Sequence, residues 1–397
     1  MSFQRLPPAI IVVLSGVIAA THIGKIPSAI PVLRDALGLS LVEAGFLLSM
    51  VQFAGMLVGA LVGLAADSIG VRRSIIAGQA ILALSALAAM WVSHPLELLA
   101  LRALEGFGFL LAVLPAPALI RQLVPAARLP LHLGLWGTYM GTGAALVLFA
   151  GPAIMAALGW RPLWGMLGGL SALAALALAR LVPACALAGS AAGAAPAAPA
   201  EPWWARLRLP LGSPGPWRIA LSFAMYSSQW LAVIGFLPSI YAQAGVSGQT
   251  AGSLTALACL ANVVGSVMAG RLLQRGYCAR HLLYVGFVTM ALTTFLAFSP
   301  VAAGAPLVGY VAAVLFSAVG GLIPGALFSV AIHVAPNART VSTTVGWMQQ
   351  CSSLGQFVGP PFVAWVAGQA GGWQWTWVIT GIASLIGILL ARGLRLA

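Results

Sequence analysis

The sequence predicts an all-α membrane protein: twelve transmembrane helices in two six-helix bundles related by pseudo-two-fold symmetry. Three observations predict it. Of 397 residues, 61% are hydrophobic and 6% charged, where a soluble domain carries roughly 25% charged residues. The apolar residues gather in stretches of helix-spanning length, about 20 residues for about 30 Å of hydrocarbon. The two halves also repeat at a constant offset of 207 residues. At that offset Pro31 matches Pro238, Gly38 matches Gly245, Ser40 matches Ser247, Ala44 matches Ala251, Gly45 matches Gly252 and Gly63 matches Gly270. Pro117 and Pro324 hold the same spacing further along.

Taken in order, the first six spans fall at 9–33, 41–66, 73–93, 96–120, 131–157 and 161–181. Each is bounded by charged residues or by Gly and Pro, which punctuate helices. The second six fall at 217–242, 248–270, 281–300, 305–333, 340–367 and 373–392. The chain thus divides into an N-terminal bundle (1–182), a linker (183–216) and a C-terminal bundle (217–397). The linker is rich in Ala, Gly and Pro and carries Trp203, Trp204, Arg206 and Arg208, the composition of a flexible segment on the membrane surface. The first apolar run, from Ala9 to Leu33, is too long for a cleaved signal peptide and lacks a small-residue cleavage pattern.

A net charge of +13 invites a nucleic-acid reading. The positions of the charges exclude it. With the N-terminus inside, fifteen of the eighteen arginines fall in the loops and ends on the inner side, Arg34 and Arg161 fall outside, and Arg102 lies within a span. That bias is the topology signal of a multi-pass protein with both termini cytoplasmic, and a miscount of one span would scramble it. A bacterial inner membrane and a monomeric state are expected. The four cysteines show no paired spacing, so neither a disulfide framework nor a thiolate metal site is implied. No nucleophile with a nearby base stands out, and no cofactor or enzymatic activity is expected.

The stretch Gly63-Leu64-Ala65-Ala66-Asp67-Ser68-Ile69-Gly70-Val71-Arg72-Arg73 resembles the loop motif between the second and third spans of the major facilitator superfamily. The resemblance implies that fold, a secondary transporter, and gating roles for Asp67, Arg72 and Arg73 as a charge latch on the inner side. The second-half counterpart, GRLLQRG, has Gln274 where the acidic residue would stand. Arg102 in RALEGFGF resembles the family's fourth-span arginine motif. Gly151-Pro152 and Gly359-Pro360 resemble its gating-helix motif loosely. PALIRQLV followed by GLWGTYMGTG is similar to the cyanate and nitroimidazole permease-like group. Parallel repeats of six spans place a binding site between the halves near the midplane.

Ionisable groups inside hydrocarbon are costly, so each is a functional candidate. Lys25 is the one lysine in the chain, and His22 lies one helical turn before it. Arg102 and Glu105 make a second such pair. A rise of about 1.5 Å per residue puts His22 and Lys25 about 20 and 24 Å above Ala9, and Arg102 and Glu105 about 9 and 14 Å below Leu96. All four therefore fall in the outer half of the membrane. Only Glu105 among six carboxylates is deep. Two cations and a histidine against one carboxylate favour an anionic small-molecule substrate. Arg102 can grip a carboxylate in bidentate fashion, and Lys25 supplies a point charge. Symport with protons is expected, Glu105 or His22 carrying the proton. Trp136, Tyr139, Tyr226, Gln229, Asn262, Trp347 and Gln350 complete the candidate substrate site, with His333 and Gln349 as further polar groups; Gln229 is the repeat counterpart of His22. Efflux of neutral or anionic drug-like compounds is the main alternative. A non-transport sensor is disfavoured because the sequence offers no soluble domain.

Overall fold

The computed structural model describes residues 7–59, 70–183, 208–300, 304–337 and 340–394. Among them, eleven long helices and a shorter twelfth run in chain order: α1 (Pro8–Leu37), α2 (Leu41–Gly59), α3 (Val71–Trp91), α4 (Pro95–Leu123), α5 (Leu131–Leu158), α6 (Trp160–Leu181), α7 (Pro214–Gln243), α8 (Gly248–Gln274), α9 (Ala279–Phe298), α10 (Pro306–Ala331), α11 (Val341–Ala370) and the shorter α12 (Thr376–Arg392). Loop residues 63–69 of the latch motif, including Asp67, and most of the linker lie outside the described residues.

The repeat read from sequence recurs in the local geometry. Gly38 and Gly245 both take left-handed backbone, with φ of 66° and 77°, where a side chain would be strained. Two residues later Ser40 and Ser247 each cap the next helix, accepting from Glu43 N at 3.2 Å and Thr250 N at 3.3 Å. Pro31 sits inside α1 and Pro238 inside α7. The helical run of α4 breaks before Ala116, and that of α10 before Leu322. Pro117 and Pro324 follow these breaks, because a proline removes a backbone donor and crowds the preceding turn.

Within each bundle the first helix packs along the fifth: α1 along α5, and α7 along α11. Between bundles, α2 lies against α11, and α8 against α5. The seams are tightest toward the end where α1 finishes, the outer end by the arginine bias. There a Cβ on Gly45 would lie 2.8 Å from Pro361 Cα, and one on Gly252 2.3 Å from the Leu148 carbonyl oxygen and 2.7 Å from Pro152 Cγ. The two glycines are repeat partners, and each faces a prolyl turn of the opposite half. A shared apolar core at this end draws Ile26, Ile30 and Leu47 from one half and Phe236, Val363 and Ala367 from the other. At the opposite end the cores separate. Ile11, Ile75, Leu119 and Leu178 form one within the first half. Ile219, Leu283, Leu327 and Leu394 belong to one within the second.

Arginines tie the helix ends on the side where α1 begins. Arg72 at the start of α3 donates to the Val182 carbonyl at 2.9 Å and the Ala179 carbonyl at 2.6 Å, satisfying orphan acceptors at the end of α6. Arg280 at the start of α9 does the same for the Leu394 carbonyl after α12, at 2.5 Å. Arg218 donates to the Gly393 carbonyl.

Candidate functional site

Two polar features lie within the helical bundle, away from the helix ends. The first is a buried ion cluster. His22 and Lys25 are 0% exposed, and Arg102 and Glu105 2%. One helical turn separates each pair, so both members project from one face of α1 or α4. Lys25 Nζ donates to Glu105 Oε1. Arg102 Nη1 donates to Glu105 Oε2 at 2.6 Å and to the His22 carbonyl at 2.7 Å, and Arg102 Nε donates to the Leu47 carbonyl at 3.2 Å. His22 Nε2 pairs with Ser171 Oγ of α6 at 2.9 Å, and its Nδ1 lies 3.3 Å from Lys25 Nζ. Lys25 Nζ also sits 4.9 Å from the centre of the Trp164 ring, where the aromatic face stabilises a cation.

With His22 neutral, the two cations and one carboxylate leave one uncompensated positive charge. Arg102 Nη2 is buried and has no hydrogen-bond partner among the described residues. A lone ion would cost several kcal/mol at this depth. The shared carboxylate, the carbonyls of α1 and α2, and the Trp164 face offset that cost. The sequence-predicted quartet is therefore assembled in space, inside the first half and closed off from solvent.

The second feature is a cavity of about 100 Å³ between the halves, lined by α2, α4, α5 and α11. It adjoins the cluster through Gly106, the neighbour of Glu105. Its polar wall is uncharged. Gln349, Ser352, Ser353 and Gln356 recur at helical spacing along one face of α11, and Gln52 faces them from α2. Gln52 Nε2 donates to Gln356 Oε1 at 3.1 Å, Gln356 Nε2 to Ser352 Oγ at 3.3 Å and Ser353 Oγ to Gln52 Oε1 at 3.4 Å. Gln350 Nε2 crosses to the Met56 carbonyl at 2.8 Å. Val51 and Gln52 belong to a 3₁₀ stretch, Met50–Gln52, that interrupts α2 at the cavity.

The remaining sequence-predicted residues divide by location. Gln350 and Tyr139 line the cavity. Trp136 stacks on Tyr139 with centroids 4.4 Å apart, just behind that wall. Tyr226 and Asn262 pair with each other at 2.8 Å within the second half. Gln229 accepts from Ser384 Oγ of α12 at 3.2 Å. It thus ties the first helix of its half to the last, as His22 does through Ser171. Trp347 packs edge-on against Trp217 near the start of α7. His333 is exposed and bonds its own helix at the Ser329 carbonyl. Arg72 is held by α6 and Arg73 is exposed. Gln52, Ser352, Ser353 and Gln356 were not singled out from sequence. The signal that could have found them is the run of amides and hydroxyls at helical spacing in an otherwise apolar span.

A comparison with curated proteins found no match. Among solved structures, a bacterial homolog of the human lysosomal transporter Spinster, inward-facing and unoccupied, superposes with a TM-score of 0.72 at 17% identity, covering 98% of each chain. Its inward-facing, occupied form gives 0.75 at 16% identity, covering 97% of this chain and 96% of that one. A D-xylose–proton symporter gives 0.73 at 18% identity, covering 97% and 95%. These likenesses establish a shared fold. The family model described as Major Facilitator Superfamily matches residues 12–339 and 219–397. With the sequence motifs, the internal repeat and the twelve-helix architecture, this places the chain in the major facilitator superfamily.

Proposed function

We propose that this protein carries a small anionic solute across the bacterial inner membrane by alternating access, in symport with protons. The observation that carries the reading is a pair of buried basic side chains, Lys25 and Arg102, sharing one carboxylate beside a cavity that straddles the two halves. In a low-dielectric setting that pair favours a negative solute in the adjoining space. Among the described residues no carboxylate lines the cavity, so a cation would find no counter-charge from them there. Gln52, Gln350, Tyr139 and the α11 serines supply the directional hydrogen bonds that fix orientation. A volume of about 100 Å³ suits a solute of a few heavy atoms better than a drug-sized compound.

The tight seams at the outer end and the separate cores at the inner end support an inward-facing state. Proton coupling is assigned to Glu105, with His22 as its neighbour. Protonating Glu105 would release Arg102 and Lys25 toward the substrate. Asp67, Arg72 and Arg73 retain a proposed part in stabilising the inner loop when the protein faces outward.

Uptake by proteoliposomes tests the reading. An alkaline interior should drive accumulation of small carboxylates or cyanate-like anions, and dissipating the pH difference should abolish it. Failure of every small anion to accumulate under either gradient direction would overturn the proposal.

A further inference from the structure

The amide bridge between α2 and α11 carries a more specific assignment, which rests on the anionic reading above. Gln52 belongs to the first half and Gln356 to the second, so their hydrogen bond is a tie between bundles. Both line the cavity, as do the hydroxyls of Ser352 and Ser353 at either end of the bridge. The Gln52 amide donates to a neutral oxygen that a charged one would outcompete, since hydrogen bonds to ionised acceptors are roughly twice as strong. The 3₁₀ interruption at Met50–Gln52 places that donor on a stretch of backbone less constrained than a regular helix.

We propose that Gln52 is the docking donor for the solute's carboxylate, which takes the place of the Gln356 side-chain oxygen. The displaced Gln356 keeps its amide on Ser352 Oγ, and the tie between the bundles passes through the solute. Substrate class follows: a monocarboxylate with two coplanar oxygens and a short apolar tail, the tail lying toward Phe109, Leu110 and Met140. Occupancy and the α2–α11 seam become linked because one bond serves both.

The two partners of this bridge have opposite expected phenotypes. Binding of acetate, propionate and butyrate, with propionamide as neutral isostere, is measured by thermal shift and calorimetry on the full-length protein in nanodiscs. Gln52→Met should weaken carboxylate binding by about tenfold or more. Gln356→Met should leave it unchanged or tighten it a few-fold, because it removes the competing acceptor. Equal losses in both variants would make the bridge a mere strut and overturn the assignment. Retained binding in Gln52→Met with loss in Lys25→Met would also overturn it, while leaving the anionic reading intact. No carboxylate binding at all would overturn this assignment while leaving the anionic reading to cyanate-like anions, and binding of propionamide in preference to propionate would overturn both.

Discussion

Leucine in place of Gly252 tests how the outer end closes. A Cβ at this position would lie 2.3 Å from the Leu148 carbonyl oxygen, a backbone atom that cannot swing aside, and 2.7 Å from Pro152 Cγ. Ordinary van der Waals separation begins near 3.4 Å, so α8 and α5 would have to part by about 1 Å. Overpacking of this kind costs about 1–3 kcal/mol in a core that cannot relax. Here the halves can relax by rocking apart at that end, so the strain appears as a shift in equilibrium of roughly 5- to 150-fold away from the closed seam. Spin labels at exposed Ala36 and Gln374, in a background whose four cysteines are serine, report the separation by double electron–electron resonance. Gly252→Leu should add a longer-distance population and slow net uptake. Gly45→Leu should act in the same direction through Pro361. An unchanged distance distribution together with full transport in both variants would refute the assignment of these glycines as the contact on which closure depends.

Glu105→Gln leaves Lys25 and Arg102 buried without their shared carboxylate, which should destabilise the protein by about 3–5 kcal/mol in denaturation or thermal unfolding. In the folded fraction, uptake should lose its dependence on the pH gradient while counterflow persists. Persistent gradient-driven uptake would place coupling elsewhere. Lys25→Met keeps the buried volume and leaves Arg102 paired with Glu105, so stability should change by less than about 1.5 kcal/mol. Carboxylate affinity should nevertheless fall at least tenfold in calorimetry; unchanged affinity would separate the cluster from substrate binding. Arg72→Met removes two donors from the end of α6 and should cost about 1–2 kcal/mol of thermal stability, with steady-state uptake per folded molecule unchanged if its role is only to cap the helix. A changed transport rate at unchanged stability would instead support the latch role.

Much of the architecture was legible because hydrocarbon imposes length and composition on any segment that crosses it. The informative case is α11. It is thirty residues long, yet it is less apolar than ten of the other helices. Its deficit comes from Gln349, Gln350, Ser352, Ser353 and Gln356, the residues that face the cavity. The ion cluster was legible because His22 with Lys25 and Arg102 with Glu105 each repeat at one helical turn, and depth counting brings the pairs level. Which side of the first half they face was not legible, because that depends on rotation of α1 and α4 about their axes. The same rotation decides that Tyr226 and Asn262 satisfy each other, while Gln52 looks across the seam. A single glutamine in an apolar helix carries no mark that distinguishes these outcomes.

Every member of the ionisable quartet, together with the carbonyls and the indole that hold it, comes from α1, α2, α4 or α6. The assembly can therefore travel as cargo of one rigid block, with no ion stripped of its partners when the blocks tilt. In the proposed alternating-access cycle, electrostatics would then contribute nearly the same free energy to either orientation of the empty carrier. The balance between the two orientations is left to fractions of an ångström in how glycine meets proline, and a single methyl group there can weigh as much as an ion.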